Sequence, residues 1–489
     1  MDKKEQWKNM EMIEEYFDRT KHYIKEYGER TIVLMQCGTF MEVYAYRNEG
    51  DPDYYGSNIQ LFAKVTHASI VQKSKTKVNG INRYLHLSGV RVYQRERYVD
   101  ALVDADITVV VFLQHDESLQ CETGSNKKSR YIEGIYSPGT HTSPETNTDF
   151  QWSNNLMSVW IERVNMKSHK KDHVFGISVL NNITGETFMN EYETSEYQLQ
   201  TTQFNELERC LSVYSPREII IVTDDQEISK FLTQLKSFYK HIYGSDISFA
   251  KNATDLAYQR HILDKYFGKE SMNLCNEFQS NPISVQSLCV MLNFVEEHNP
   301  SLVKRIRLPM WENQTIYTTL QNHTLVQLDI LKYGKEYNHR HGSVHKWLNR
   351  CKTVMGKRLF LQKLTHPIYD RETLEKGYDT IDQFLQNPCY SAMIDSLRKV
   401  LDNVNDIESL SGFIVSKRLP PSGIHKLYSS VQNIEQILTC IYDMSWLHEF
   451  VGINDKSRYS YMCNEITSYI SRRFNMSECT FVNQCSGFS

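Results

Sequence analysis

The chain has 489 residues, 40% hydrophobic and 23% charged, so it is too long for one core and reads as an ordinary folded protein of about three domains. No run of about eighteen apolar residues occurs, and the start Met1-Asp2-Lys3-Lys4-Glu5 lacks the apolar stretch of a signal peptide, so no membrane helix is expected and an intracellular, soluble protein is. A net charge of -4 excludes indiscriminate coating of nucleic acid, and eleven cysteines without a C-x-x-C pair indicate neither a zinc site nor a disulfide framework.

Residues 5–27 predict an amphipathic helix, with Met10, Ile13, Tyr16 and Phe17 at helical spacing and no Gly or Pro until Gly28. Strands follow at 31–36 and 41–46, separated by Gly38. On an alternating strand Phe40 and Glu42 share a face, so a stacking ring and a hydrogen-bonding carboxylate emerge together. Residues 60–98 carry eight Lys and Arg against Glu96 alone, a local +7 beside that pair. Lys73, Lys75, Lys77, Arg91 and Arg95 are thereby candidate grips on phosphates. The segment to residue 140 completes a small α/β domain, and the Ser/Thr/Pro/Asn-rich stretch Ser137–Asn147 reads as a linker.

Apolar runs at 156–161, 173–179, 186–189 and 218–222, with a helical stretch near 198–212, predict a second α/β domain. Asp224 and Asp225 are its only adjacent carboxylates, and their place after a strand suits a turn better than a metal-dependent nuclease. Beyond residue 255 the chain reads as helical, with one strong apolar helix over 284–295. A helix around 344–364 contains Gly356, which predicts a close helix crossing, while Trp347 and Met355 read as core. Residues 298–363 carry twelve Lys and Arg against three acids, a second basic stretch.

Gly38-Thr39-Phe40-Met41-Glu42 resembles the G-x-F-x-E motif of the DNA mismatch-recognition family MutS. Leu87-Ser88-Gly89-Val90 is similar to that family's A-G-I-P segment, and Ser137-Pro138-Gly139-Thr140 to its T-P-G-T. Gly342-Ser343-Val344 and Trp347 to Leu359 resemble G-S-L and L-L-D-x-T-x-T-x-M-G-x-R-x-L. Asp406-Ile407-Glu408 resembles D-L-E-R, with Ser409 in place of the Arg.

The resemblance implies a multidomain fold: an α/β mismatch-recognition domain over 1–140, a ribonuclease-H-like α/β connector over 150–255, and a mostly helical core and lever over 256–489. It implies that Phe40 stacks on a mispaired base and Glu42 hydrogen-bonds to it, with Gly38, Thr39 and Met41 completing the site. The partner implied is double-stranded DNA with a mismatch or small loop, where weakened stacking makes wedging cheaper. Full-length members continue into a clamp and an ATPase. No G-x-x-x-x-G-K-[ST] phosphate loop occurs here, since Cys351 stands five residues before Gly356-Lys357. The expectation is therefore a chain truncated before the clamp and ATPase and not itself an enzyme. ATP, magnesium and dimerisation belong with the missing C-terminal half or with a separate chain carrying it. The competing expectation is a split-gene or truncated remnant that serves as a partner-binding scaffold without mismatch recognition.

Overall fold

The computed structural model describes residues 3–78, 81–114, 130–141, 155–165, 171–194, 204–225, 241–245, 250–269, 276–298, 306–311, 322–330, 342–365, 367–387, 389–415, 419–453 and 455–479, with three single positions between these ranges. They form two compact units. The first draws on Met1–Ser143, Asn154–Thr194 and Pro216–Met310, the second on Pro144–Ser153, Ser195–Ser215 and Trp311–Ser489.

The first unit opens with helix α1 (Lys3–Tyr27), strands β1 (Thr31–Cys37) and β2 (Phe40–Asn48), helix α2 (Ile59–Thr66) and strands β3 (Val71–Val78) and β4 (Ile81–Arg91). Helix α3 (Arg95–Asp104) and strands β5 (Thr108–Gln114) and β6 (Arg130–Tyr136) complete a sheet of order β3-β4-β2-β1-β5-β6. β1 runs parallel to β5, from Thr31 opposite Thr108 to Met35 opposite Phe112, and antiparallel to β2. Central strands buried on both faces need continuous apolar runs, and Thr31–Met35 and Thr108–Phe112 supply them. Helix α1 lies over the face that carries Tyr44 and Tyr46. Tyr16 meets Tyr44 edge-on at 5.2 Å and donates to the Val33 carbonyl at 3.2 Å, while Phe17 stacks on Tyr46 at 4.5 Å.

In the second sheet β11, β10, β7, β8 and β9 lie side by side in that order, where β7 is Asn155–Asn165, β8 Lys171–Asn181, β9 Thr187–Thr194, β10 Glu218–Thr223 and β11 His241–Ser245. Helix α4 (Asn205–Tyr214) falls in the second unit; α5 (Leu256–Phe267), α6 (Asn276–Ser280) and α7 (Pro282–His298) stay in the first. α7 presses directly on β8: a Cβ at Gly176 would lie 2.3 Å from the Ile283 carbonyl carbon. Ser287 donates to the Ser158 carbonyl at 2.8 Å and Ser178 to the Ser284 carbonyl at 3.2 Å. The chain turns helical at Leu256 as expected, but α5, α6 and α7 belong to the first unit, where α7 packs on the second sheet, and the second unit takes up again from Trp311.

The stretch Ser137–Thr140 is not a linker. Ser137 and Thr140 are buried, and the Ser137 hydroxyl donates at 2.8 Å to Glu218, whose other oxygen accepts from the Tyr243 hydroxyl at 2.9 Å. Asn182 donates to the Gly139 carbonyl at 3.0 Å, and Arg217 pairs with Asp106 at 3.2 Å. The turn thus fastens the end of the first sheet to the second. Residues 142–147 of the expected linker lie outside the described residues.

The second unit is helical: α8 (Asn322–Gln327), α9 (Val344–Leu348), α10 (Val354–Thr365), α11 (Arg371–Gln386), α12 (Cys389–Leu401), α13 (Ile407–Val415), α14 (Pro421–Cys440), α15 (Ser445–Val451), α16 (Lys456–Ser471) and α17 (Met476–Cys479). Side-chain caps start several of these: Asp370 accepts from Thr373 N at 2.9 Å and Asp455 from Arg458 N at 3.1 Å. The single helix expected over 344–364 is two, α9 and α10. Gly356 sits in the first turn of α10, where Thr353 accepts from its N–H at 3.0 Å and a Cβ would meet that hydroxyl at 2.9 Å, so it serves the cap rather than a helix crossing. Trp347, expected in the core, is 56% exposed. Arg358 grips Asp406 with both guanidinium nitrogens, at 2.6 and 2.8 Å, and reaches Glu408 at 2.6 Å, which gives the Gly-x-Arg and Asp-x-Glu segments one structural purpose. Among the described residues no helix is long and apolar enough to cross a membrane.

Candidate nucleic-acid interface

Phe40 stands at the tip of the β1–β2 hairpin. Cys37 pairs with Phe40, so Gly38-Thr39 is a two-residue loop; Gly38 has φ +63 and Thr39 does not share the positive value, as in a type II′ turn, whose first central position favours glycine. Hydrogen bonds hold the tip from three neighbours. Gln36 donates to the Gly38 carbonyl at 3.0 Å, the Gln114 side chain accepts from Gly38 N at 3.3 Å, and Val92 N donates to the Thr39 carbonyl at 3.0 Å. Arg130 secures the strand behind by donating to the Gln36 carbonyl at 3.1 Å. On this mounting the Phe40 ring is 40% exposed, with the Arg91 guanidinium 5.7 Å from its centroid.

The period-2 alternation places Phe40, Glu42, Tyr44 and Tyr46 on one face. Glu42 is set back, its side chain 15% exposed, and its Oε2 accepts from the Tyr44 hydroxyl and lies 4.0 Å from Lys73 Nζ. Gly89, opposite Glu42 on β4, leaves the room: a Cβ there would fall 2.8 Å from the Met41 carbonyl oxygen and 3.2 Å from Glu42 Cγ. Tyr44 also exchanges a hydrogen bond with the Cys37 thiol at 3.3 Å. Burial, with Cys37 and Glu42 close by, pushes the Tyr44 phenol well above its ordinary pKa, so it remains a donor.

The structure sorts the residues expected at the site. Gly38, Thr39 and Phe40 are exposed at the tip; Met41 is wholly buried on the opposite face and cannot meet a ligand there. Arg91 and Lys75 are exposed on β4 and β3, Lys75 over the Tyr84 ring at 5.2 Å. Arg95 is turned inward to an ion pair with Glu133 at 2.8 Å, which neutralises it as a phosphate grip. Lys73 is turned toward Glu42 and Tyr44. The side chain of Lys77 lies outside the described residues. Tyr44 and Gly89 were not singled out as site residues from sequence, although the Phe-x-Glu-x-Tyr alternation marks Tyr44 as a neighbour on the same face. In the second sheet Asp225 pairs with His173 at 2.9 Å, and among the described residues no group of three or more His, Cys, Asp or Glu stands ready to hold a metal.

Comparison with known proteins bears on the chain as a whole. The family description MutS domain III matches residues 323–465. A DNA mismatch repair protein mutS homolog of Acanthamoeba polyphaga mimivirus is 24% identical over 470 residues, covering 90% of this chain and 40% of that protein. The DNA mismatch repair protein MutS of Caldanaerobacter subterraneus subsp. tengcongensis is 25% identical over 430 residues, 87% of this chain and 43% of that protein. A mitochondrial DNA mismatch repair protein mutS homolog of Sarcophyton glaucum is 22% identical over 500 residues, 91% of this chain and 47% of that protein. The chain therefore spans less than half the length of each of these curated relatives. The domain III match within the helical unit, and relatives collinear with about nine-tenths of the sequence, support a MutS-family protein.

Proposed function

We propose that the first unit binds mismatched or otherwise distorted double-stranded DNA as the recognition part of a MutS-type mismatch repair protein, with Phe40 wedging beside a mispaired base and Glu42 accepting or sharing a hydrogen bond with it. The observation that carries this reading is a half-exposed aromatic ring at the tip of a hairpin held by hydrogen bonds, with a carboxylate on the same face and Arg91 and Lys75 exposed on neighbouring strands. A wedge costs a few kcal/mol per base step unstacked, and a mismatch, already poorly stacked, lowers that cost. The cations supply sequence-independent attraction, and the ring supplies the preference. On this reading the chain neither retains nor hydrolyses ATP by itself, because its sequence has no phosphate-cradling loop.

The test titrates labelled duplexes that differ only by one mismatch. Base–aromatic stacking is worth about 1–3 kcal/mol, so Phe40→Ala should reduce the mismatch-to-matched affinity ratio by about tenfold and leave matched binding nearly unchanged. Equal ratios for the parent chain and the variant would refute the wedge.

A further inference from the structure

We propose that Lys73 and Tyr44 are positioning residues for Glu42, fixing where its carboxylate faces beside Phe40 and so setting how strongly the hairpin prefers mismatched over matched duplex; the inference rests on the mismatch-binding reading above. Lys73 is aimed at this task by a fault in the sheet. The β3–β4 pairing runs Gln72 opposite His86 and then Ser74 opposite Leu85, so Lys73 is the extra residue of a β-bulge. Bulges re-aim the side chain they insert.

The re-aimed ammonium does not reach for solvent in the manner usual for lysine. Its side chain is 31% exposed, and Nζ donates to the Tyr44 hydroxyl at 3.3 Å, lies 4.9 Å from that ring's centroid, and stands 4.0 Å from Glu42 Oε2. Tyr44 in turn donates to the same Oε2. The donors therefore run in one direction, from ammonium to phenol to carboxylate, and end on one oxygen. Tyr44 is itself immobilised, edge-on to Tyr16 at 5.2 Å and bonded to the Cys37 thiol. Gly89 leaves the space in which Glu42 takes this position. With Oε2 held, Oε1 is the oxygen left for a base, and its direction follows from the latch.

A phosphate grip would give Lys73 a different signature, so the experiment separates the two through Glu42. Matched and singly mismatched duplexes are titrated with the full chain carrying Lys73→Met, Lys73→Arg or Tyr44→Phe, each with Glu42 present and in the Glu42→Ala background. Thermal unfolding confirms that each variant is folded; Tyr44→Phe keeps the ring that packs on Tyr16. Lys73→Met and Tyr44→Phe are expected to lower the mismatch-to-matched ratio by roughly three- to tenfold, Lys73→Arg to recover part of it, and none to lower it further once Glu42 is alanine, because contacting residues are energetically coupled. Equal loss on both duplexes, with a flatter salt dependence, whether or not Glu42 is present, would overturn the proposal and make Lys73 a phosphate contact. A ratio that depends on Phe40 but ignores Lys73 and Tyr44 overturns this inference alone. A parent chain without mismatch preference removes the underlying reading and the inference with it.

Discussion

Arg91 stands opposite Phe40 on β4, and Lys75 lies toward the far end of the same sheet, level with Arg47; both are exposed, and the contacts described for them are with aromatic rings and not with acids. If each neutralises one phosphate, Arg91→Ala and Lys75→Ala should weaken matched and mismatched binding together and lower the salt slope by about one unit apiece. Arg95→Ala should not change the slope, since Arg95 is spent on Glu133. Titrations at three salt concentrations check all three. At this scale the sequence told which residue types were present but not where they pointed. Phe40 and Glu42 were legible because a strand's alternation is fixed by its pleat. Met41 falls on the opposite face by the same rule. Lys73 was not legible, because its direction is set by a one-residue slip in the β3–β4 ladder that only the pairing partner reveals.

Among elements, α7 shows how closely a helix can approach a sheet when small residues line the contact. Gly176 on β8 faces the Ile283–Ser284 backbone with no space for a methyl group, and Ser284 and Ser287 lie along the same helix. Gly176→Ala must move backbone, not a side-chain end, so it should destabilise the first unit by about 3 kcal/mol or more, the upper part of the range for overpacked cores. Chemical denaturation of the variant measures this, and a loss below about 1 kcal/mol would show that the helix yields easily. The elements themselves were largely readable. The helix predicted over 5–27 is Lys3–Tyr27, and the strands predicted at 31–36 and 41–46 are Thr31–Cys37 and Phe40–Asn48, because apolar runs bounded by Gly28 and Gly38 leave few alternatives. The β3–β4 hairpin was less clear, since Lys73, Ser74 and Lys75 lack the apolar alternation of a half-buried strand.

For the molecule as a whole, the least legible feature is the junction inside the first unit. Ser137-Pro138-Gly139-Thr140 has the composition of a solvent-facing connection, yet it is buried because Glu218, across the chain, needs its hydroxyl; composition cannot report a partner 81 residues away. Burial pushes the Glu218 pKa up to about 7, with the Ser137 and Tyr243 hydroxyls opposing it. A carboxyl that holds its proton more firmly when folded contributes stability that is full below about pH 4.5 and is lost as pH rises through about 7. His241 and His298, both lowered to about 4 by burial, act in the opposite sense between about 4 and 6.5. The Glu218 contribution therefore has to be read as a difference. The stability of Glu218→Gln relative to the parent should rise between about pH 5 and 8, by on the order of 3 kcal/mol. Denaturation curves at several pH values settle the sign, and a pH-independent difference would remove Glu218 from the account.

The strand order β3-β4-β2-β1-β5-β6 sets the Phe40 hairpin in the middle of its sheet, with a hydrogen-bonded neighbour on each side. A probe on a free loop would have to be immobilised at every encounter, at about 1–2 kcal/mol per residue fixed. Here that ordering is complete once the chain has folded. On the proposed reading, what varies from site to site is then how readily the duplex gives way, so the hairpin would work as a rigid gauge of local stiffness, and the energy that distinguishes a damaged step from a sound one would be stored in the nucleic acid rather than in the protein.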